Sequence, residues 1–272
     1  MALIINLSVV VAIIVFWLSA RYWRRMAGKA LFSHAIACYK KEDREELARK
    51  AVVAGNRHAG VLYALNSPEL FDRARPMRLL AFGKIRFVFG GYYFSQRYAD
   101  WLREDQTDFV QRVYDFKDGR DDCKEYFSEA FEVLSPEGSV TAMFMPCSTA
   151  SRYYRRFSGI ASYLETAGYA ESGLELVCIT ESRECKHTAE YRTKVNTNNY
   201  AMSRRLQGRR VVILDDLMTT GDSLNEYAHN LERAGATVCG AVFLARTFEV
   251  PSLATIRRGV WSRHLKLLLF RK

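Results

Sequence analysis

The chain opens on an uncharged run. Residues 2–20 carry no ionisable side chain, and only Asn6, Ser8 and Ser19 interrupt the apolar positions. At about 1.5 Å per residue, a helix of that length matches a hydrocarbon core of about 30 Å. Arg21, Arg24, Arg25 and Lys29 follow at once, with Trp17, Tyr22 and Trp23 beside them, and no basic side chain precedes the run. That asymmetry predicts one uncleaved transmembrane helix in the inner or plasma membrane, N-terminus out and the bulk of the chain cytoplasmic. Residues 1–29 then form an anchor with a basic juxtamembrane segment.

Apolar positions next recur at helical spacing. They pass through Ala30, Leu31, Ala35, Ile36 and Tyr39, and then through Leu47, Ala48, Ala51 and Val52. Gly55 and Asn56 read as a helix stop, and a second set begins at Ala59, Val61, Leu62, Ala64 and Leu65. Residues 30–75 are therefore expected to hold two helices. Their Ala48, Ala51, Ala54, Gly55, Ala59 and Tyr63 resemble one Sel1-like or tetratricopeptide unit, fewer than a solenoid needs. Residues 76–134 are aromatic-rich and expected to be mostly helical, with Phe82, Phe87, Phe89, Tyr92, Tyr93, Phe94 and Trp101 as core. Lys84, Arg86 and Arg97 between those rings also fit a single-strand nucleic-acid platform, although such stripes more often pack on a neighbouring helix.

From about residue 135 the pattern changes to alternating strands and helices. Strands are predicted at 139–145, 174–179, 211–214 and 237–245, and helices at 153–166 and 222–234. This alternation predicts an α/β domain over 135–250 with a parallel sheet flanked by helices. A basic tail, 251–272, is expected to follow.

Composition narrows the picture only slightly. With 49% hydrophobic and 26% charged residues the chain can bury a core. A net charge of +10 admits anionic small molecules, nucleic acid or an anionic surface as partners, and requires none of them. The six cysteines show no CxxC spacing, which disfavours a structural zinc and suits reduced cytosolic thiols.

One stretch carries chemistry. Residues 211–224 read VVILDDLMTTGDSL, a buried strand ending in two acids and passing through Thr-Thr-Gly into a helix. Backbone N–H groups and hydroxyls at a helix N-terminus cradle a phosphate dianion. Gly221 permits a turn and an approach that a Cβ would hinder. Asp215 and Asp216 beside that cradle can accept hydrogen bonds from vicinal hydroxyls. A phosphorylated pentose satisfies both halves.

This stretch resembles the motif of type I phosphoribosyltransferases that binds PRPP (5-phosphoribosyl 1-diphosphate). The resemblance covers about residues 120–250 and implies the type I phosphoribosyltransferase fold, here preceded by a helical region and one transmembrane helix. By that resemblance Asp215 and Asp216 bind the ribose hydroxyls and are the catalytic acids, while Thr219, Thr220, Gly221, Asp222 and Ser223 hold the 5′-phosphate. Pro146, Cys147 and Ser148 resemble the diphosphate loop. Arg152, Arg155, Arg156 and Phe157 are similar to the Arg-rich stretch of ComF-like members, a branch associated with competence for DNA uptake. The polar insert at 181–205, with Arg183, Lys186, Arg192 and Lys194, resembles the hood that brings cations to the diphosphate. The four-cysteine zinc module usual in the ComF-like branch is absent, and Thr219 stands where some purine-salvage members place an acidic base.

The resemblance implies displacement of diphosphate from C1 of PRPP by a nitrogen nucleophile. It implies Mg²⁺ bound with PRPP, direct protein ligation being confined to Asp215 and Asp216 if there is any, and a homodimer. The acceptor is not readable. Two alternatives stand beside the transferase: a PRPP- or nucleotide-sensing regulator without turnover, and a ComF-like adaptor in DNA uptake or defence.

Overall fold

The computed structural model describes residues 2–179 and 200–269, with side chains from residue 9 onward. Along the chain run α1 (Ala2–Ala37), α2 (Lys41–Val53), α3 (His58–Asn66), β1 (Leu80–Phe82), β2 (Ile85–Tyr93), α4 (Glu104–Lys117) and α5 (Lys124–Leu134). There follow β3 (Thr141–Phe144), α6 (Ala150–Thr166), β4 (Glu171–Ser172), β5 (Val177–Ile179), β6 (Tyr200–Met202), β7 (Arg210–Met218), α7 (Asp222–Arg233), β8 (Thr237–Thr247) and α8 (Leu253–Leu269). They divide into two compact units. One comprises Met1–Arg73, Gln96–Glu104 and Glu249–Lys272; the other comprises Ala74–Ser95 and Asp105–Phe248.

The first unit is helical. Ala48, Ala51, Ala59 and Leu62 are fully buried where α2 meets α3. Asn56 ends the turn between them by accepting the His58 and Ala59 N–H groups at 2.9 and 3.2 Å. Within the expected basic tail, Leu253–Leu269 is helical, and α8 buries Ile256 and Val260 and packs on α2 and α3. The two helices expected over 30–75 are instead the end of α1 followed by α2 and α3.

The expected membrane anchor is overturned. Among the described residues no helix is long and apolar enough to cross a membrane. The uncharged residues 2–20 are only the first part of α1. Beyond them α1 continues unbroken through Arg21, Arg24, Arg25 and Lys29. Arg24, assigned above to a membrane interface, donates to the Val53 carbonyl at 2.9 Å, at the end of α2. The single-pass topology and the placement of the two termini fall with the span.

The second unit is an α/β domain around a six-stranded sheet in the order β1-β2-β8-β7-β3-β4. Neighbours β2/β8, β8/β7, β7/β3 and β3/β4 are parallel, and β1 pairs antiparallel with β2. Val211, Val212, Ile213 and Leu214 of the central β7 are fully buried, as an unbroken apolar run requires when helices cover both faces. The covering helices show the matching stripes: Phe127, Ala130, Phe131 and Leu134 on α5; Tyr153, Phe157, Ile160, Ala161 and Leu164 on α6; Leu224, Tyr227, Ala228 and Leu231 on α7.

Two sequence expectations need correction here. Residues 80–93 are a β-hairpin rather than helix, and β2 lies inside the sheet against β8. Phe87 and Phe89 are therefore core, not a stacking surface for bases. Gly90 and Gly91 allow close packing: a Cβ on the second would come within 2.5 Å of the Phe109 ring. In place of one strand at 174–179, β4 takes the sheet edge, and β5 pairs antiparallel with β6 in a separate two-stranded sheet.

Candidate functional site

The site follows from how the sheet is wound. The connection β3–α6–β4 leaves β3 toward one edge, and β7–α7–β8 leaves β7 toward the other. Right-handed crossovers running in opposite directions place their helices on opposite faces and open a crevice beyond the carboxyl ends of the two strands. Both loops of interest, 145–149 and 219–221, begin there. The last β3–β7 pair is Phe144 with Leu214, and the Met145 N–H donates to the Leu214 carbonyl at 3.0 Å.

Asp215 and Asp216 lie within β7, which runs on to Met218 rather than ending at Leu214. Their side chains are 17% and 9% exposed. Asp215 Oδ1 accepts the Asp216 N–H at 2.9 Å. Burial and the adjacent Asp216 carboxylate push the Asp215 carboxyl well above its ordinary range, and Arg156 opposes them. Next come Thr219 and Thr220, both exposed, and then Gly221 at φ +86, a left-handed conformation that glycine tolerates. Gly221 is the N-cap of α7, so the N–H groups that follow belong to a first helical turn without i−4 partners. Thr220 Oγ1 donates to Asp222 Oδ2 at 2.9 Å.

Across the crevice, Pro146, Cys147 and Ser148 form the β3–α6 loop, and Thr149 caps α6 by accepting the Arg152 N–H at 3.3 Å. Cys147 is buried, which pushes its thiol up to about 12 and makes it an inert neighbour of Arg156 and the two acids. Arg152 is exposed and donates to Ser148 Oγ at 3.1 Å. Arg156, of the same Arg-rich stretch, faces the two acids. Its Nη1 lies 3.0 Å from Asp216 Oδ1 and 3.9 Å from Asp215 Oδ1. Arg183, Lys186 and Arg192 lie outside the described residues.

Sequence reading missed three neighbours. Phe82 of β1 packs on Gly221. Tyr93, at the end of β2, shares a 2.7 Å hydrogen bond with the Tyr114 hydroxyl. Its phenol is raised by burial, by that bond, by the Tyr114 charge and by the nearby Asp216. The Lys117 carbonyl accepts from Arg156 Nε at 3.2 Å. All three residues are remote in sequence from residues 211–224, and only the pairing of β1, β2 and β8 with β7 brings the first two close.

The family model described as Phosphoribosyl transferase domain matches residues 147–254, less than half of the chain. The match begins at Cys147, inside the first loop, and takes in the whole of the second, and the mostly parallel sheet with its flanking helices fits such a domain. No curated protein matches the chain.

Proposed function

We propose that the α/β unit binds PRPP and transfers its phosphoribosyl group to a nitrogen acceptor, releasing diphosphate. The observation that carries this is the junction at the end of β7: a nearly buried carboxylate pair runs within five residues into a glycine-capped helix N-terminus, at the sheet's switch point. Asp215 and Asp216 accept the ribose hydroxyls, and residues 219–223 hold the 5′-phosphate through N–H groups and hydroxyls. Pro146, Cys147 and Ser148 face the diphosphate, with Arg152 as an exposed cation on the first turn of α6. The residues of the switch point exclude water from C1 on the sheet side, and the two acids favour positive charge developing on the ribose. The resemblance to the ComF-like branch rests on the 152–157 stretch.

The donor set suits a Mg²⁺ ion that arrives on its ligand. Among the described residues no group of three or more His, Cys, Asp or Glu side chains could hold a metal alone, while two carboxylates stand beside the ribose site. Asp215 or Asp216 would help to hold the ion, which when bound would supply charge neutralisation for the leaving diphosphate.

A second reading, PRPP sensing without turnover, is favoured by Arg156. Its engagement with the acids leaves Arg152, on the first turn of α6, as the exposed one of the two. Incubation of the full chain with PRPP, Mg²⁺ and a panel of nitrogen bases separates the two. Base-dependent diphosphate release supports transfer; saturable PRPP binding without release supports sensing.

A further inference from the structure

We infer that Arg156 is a positioning residue for the two ribose-binding carboxylates, clamped by a carbonyl at the end of α4, and is not a diphosphate contact. The inference rests on the ribose reading above. Arg152 and Arg156 are one turn apart on α6, yet their surroundings differ. Arg152 is exposed, whereas the Arg156 side chain is 11% exposed and its guanidinium lies 5.6 Å from the Phe157 ring centre. Nε donates to the Lys117 carbonyl at 3.2 Å and Nη1 to Asp216 Oδ1 at 3.0 Å. A guanidinium is planar, so fixing two of its nitrogens fixes its plane. Removing it to meet a diphosphate would strand a nearly buried carboxylate pair.

The consequence lies in the oxygens left over. Asp216 Oδ1 is taken by Arg156, and Asp215 Oδ1 by the Asp216 N–H. Neither contact takes Oδ2 of either acid, so one oxygen of each carboxylate is left for the two vicinal hydroxyls. The clamp has its own support. Gly119 sits at φ +71, and a Cβ there would meet the Arg155 carbonyl oxygen at 2.4 Å, so the turn that follows Lys117 rests directly on α6 beside Arg156.

The test is calorimetry on the full chain with three probes: ribose 5-phosphate, inorganic phosphate and diphosphate. Arg156→Gln is expected to weaken ribose 5-phosphate by about tenfold or more, and to leave the other two within about twofold. Arg156→Lys recovers part of the loss, because a point charge restores attraction without the fixed plane. Gly119→Ala gives the same pattern more weakly, and decides the matter if melting curves show that Arg156→Gln does not fold. A loss confined to diphosphate, or unchanged ribose 5-phosphate affinity in Arg156→Gln, overturns the inference. A wild-type chain that binds phosphate and diphosphate but no ribose 5-phosphate removes the ribose reading itself, and this inference with it.

Discussion

A Cβ built on Gly221 falls 2.5 Å from the Phe82 ring, so the turn that opens α7 lies directly on the β1–β2 hairpin. The hairpin is thus a wall of the proposed phosphate cradle, 139 positions upstream of the turn it supports. Gly221→Ala meets two penalties there: the left-handed backbone, about 1–2 kcal/mol for an L-residue, and the ring. The expected result is at least about a tenfold loss of ribose 5-phosphate affinity. Phe82→Ala in that background relieves the ring but not the backbone, so a double-mutant cycle by calorimetry should return part of the loss. Additive effects would show that the ring does not shape the turn.

Asp215 supplies a prediction in pH. Its carboxyl is raised by burial and by Asp216, so between the ordinary carboxylate range and the raised value the folded chain binds more protons than the unfolded one. Stability then falls as pH rises through that window and stays lowered above it. Asp215→Asn should therefore raise Tm at pH 7.5, by about 2–4 °C for each kcal/mol relieved, with a gain that shrinks toward pH 4. Thermal melts across that range check it, and a lower Tm at pH 7.5 would contradict the assigned burial.

Tyr227 on α7 donates to the Phe144 carbonyl at 2.9 Å, beneath the point where β3 gives way to the Pro146 loop. Tyr227→Phe removes one buried hydrogen bond and should cost about 1 kcal/mol by chemical denaturation. No measurable loss would mean that solvent reaches that carbonyl.

In the helical unit, Ile256 of α8 is fully buried, and a Cβ on Gly60 of α3 would stand 3.3 Å from its Cγ2. Ile256→Ala should destabilise that unit by about 2–4 kcal/mol. Denaturation that leaves its transition unmoved would show that α8 is the loose tail its sequence suggested.

What could be read from the sequence depended on how local the cause was. Residues 211–224 were legible because one buried strand, one acidic pair and one glycine turn are contiguous, and the stripes of α6 and α7 follow a single period. The hairpin at 80–93 was not, because its aromatics serve a sheet face set by pairing with β8, more than 150 residues later. Arg156 was legible as a cation near a phosphate loop, but its partner depended on which face of α6 meets β7. The apolar N-terminal run gave a span by length and charge asymmetry, while the helix it begins extends through its own basic residues and packs on α2.

The central claim is that Asp215 and Asp216 and the turn after them grip one phosphorylated ribose. Calorimetric titration of PRPP with Mg²⁺ into the full chain and into the Asp215→Asn, Asp216→Asn double variant tests it most directly. Saturable binding by the wild type, reduced about a hundredfold or more in a variant that still melts cooperatively, is the predicted result. Equal affinity in the two proteins would contradict the account.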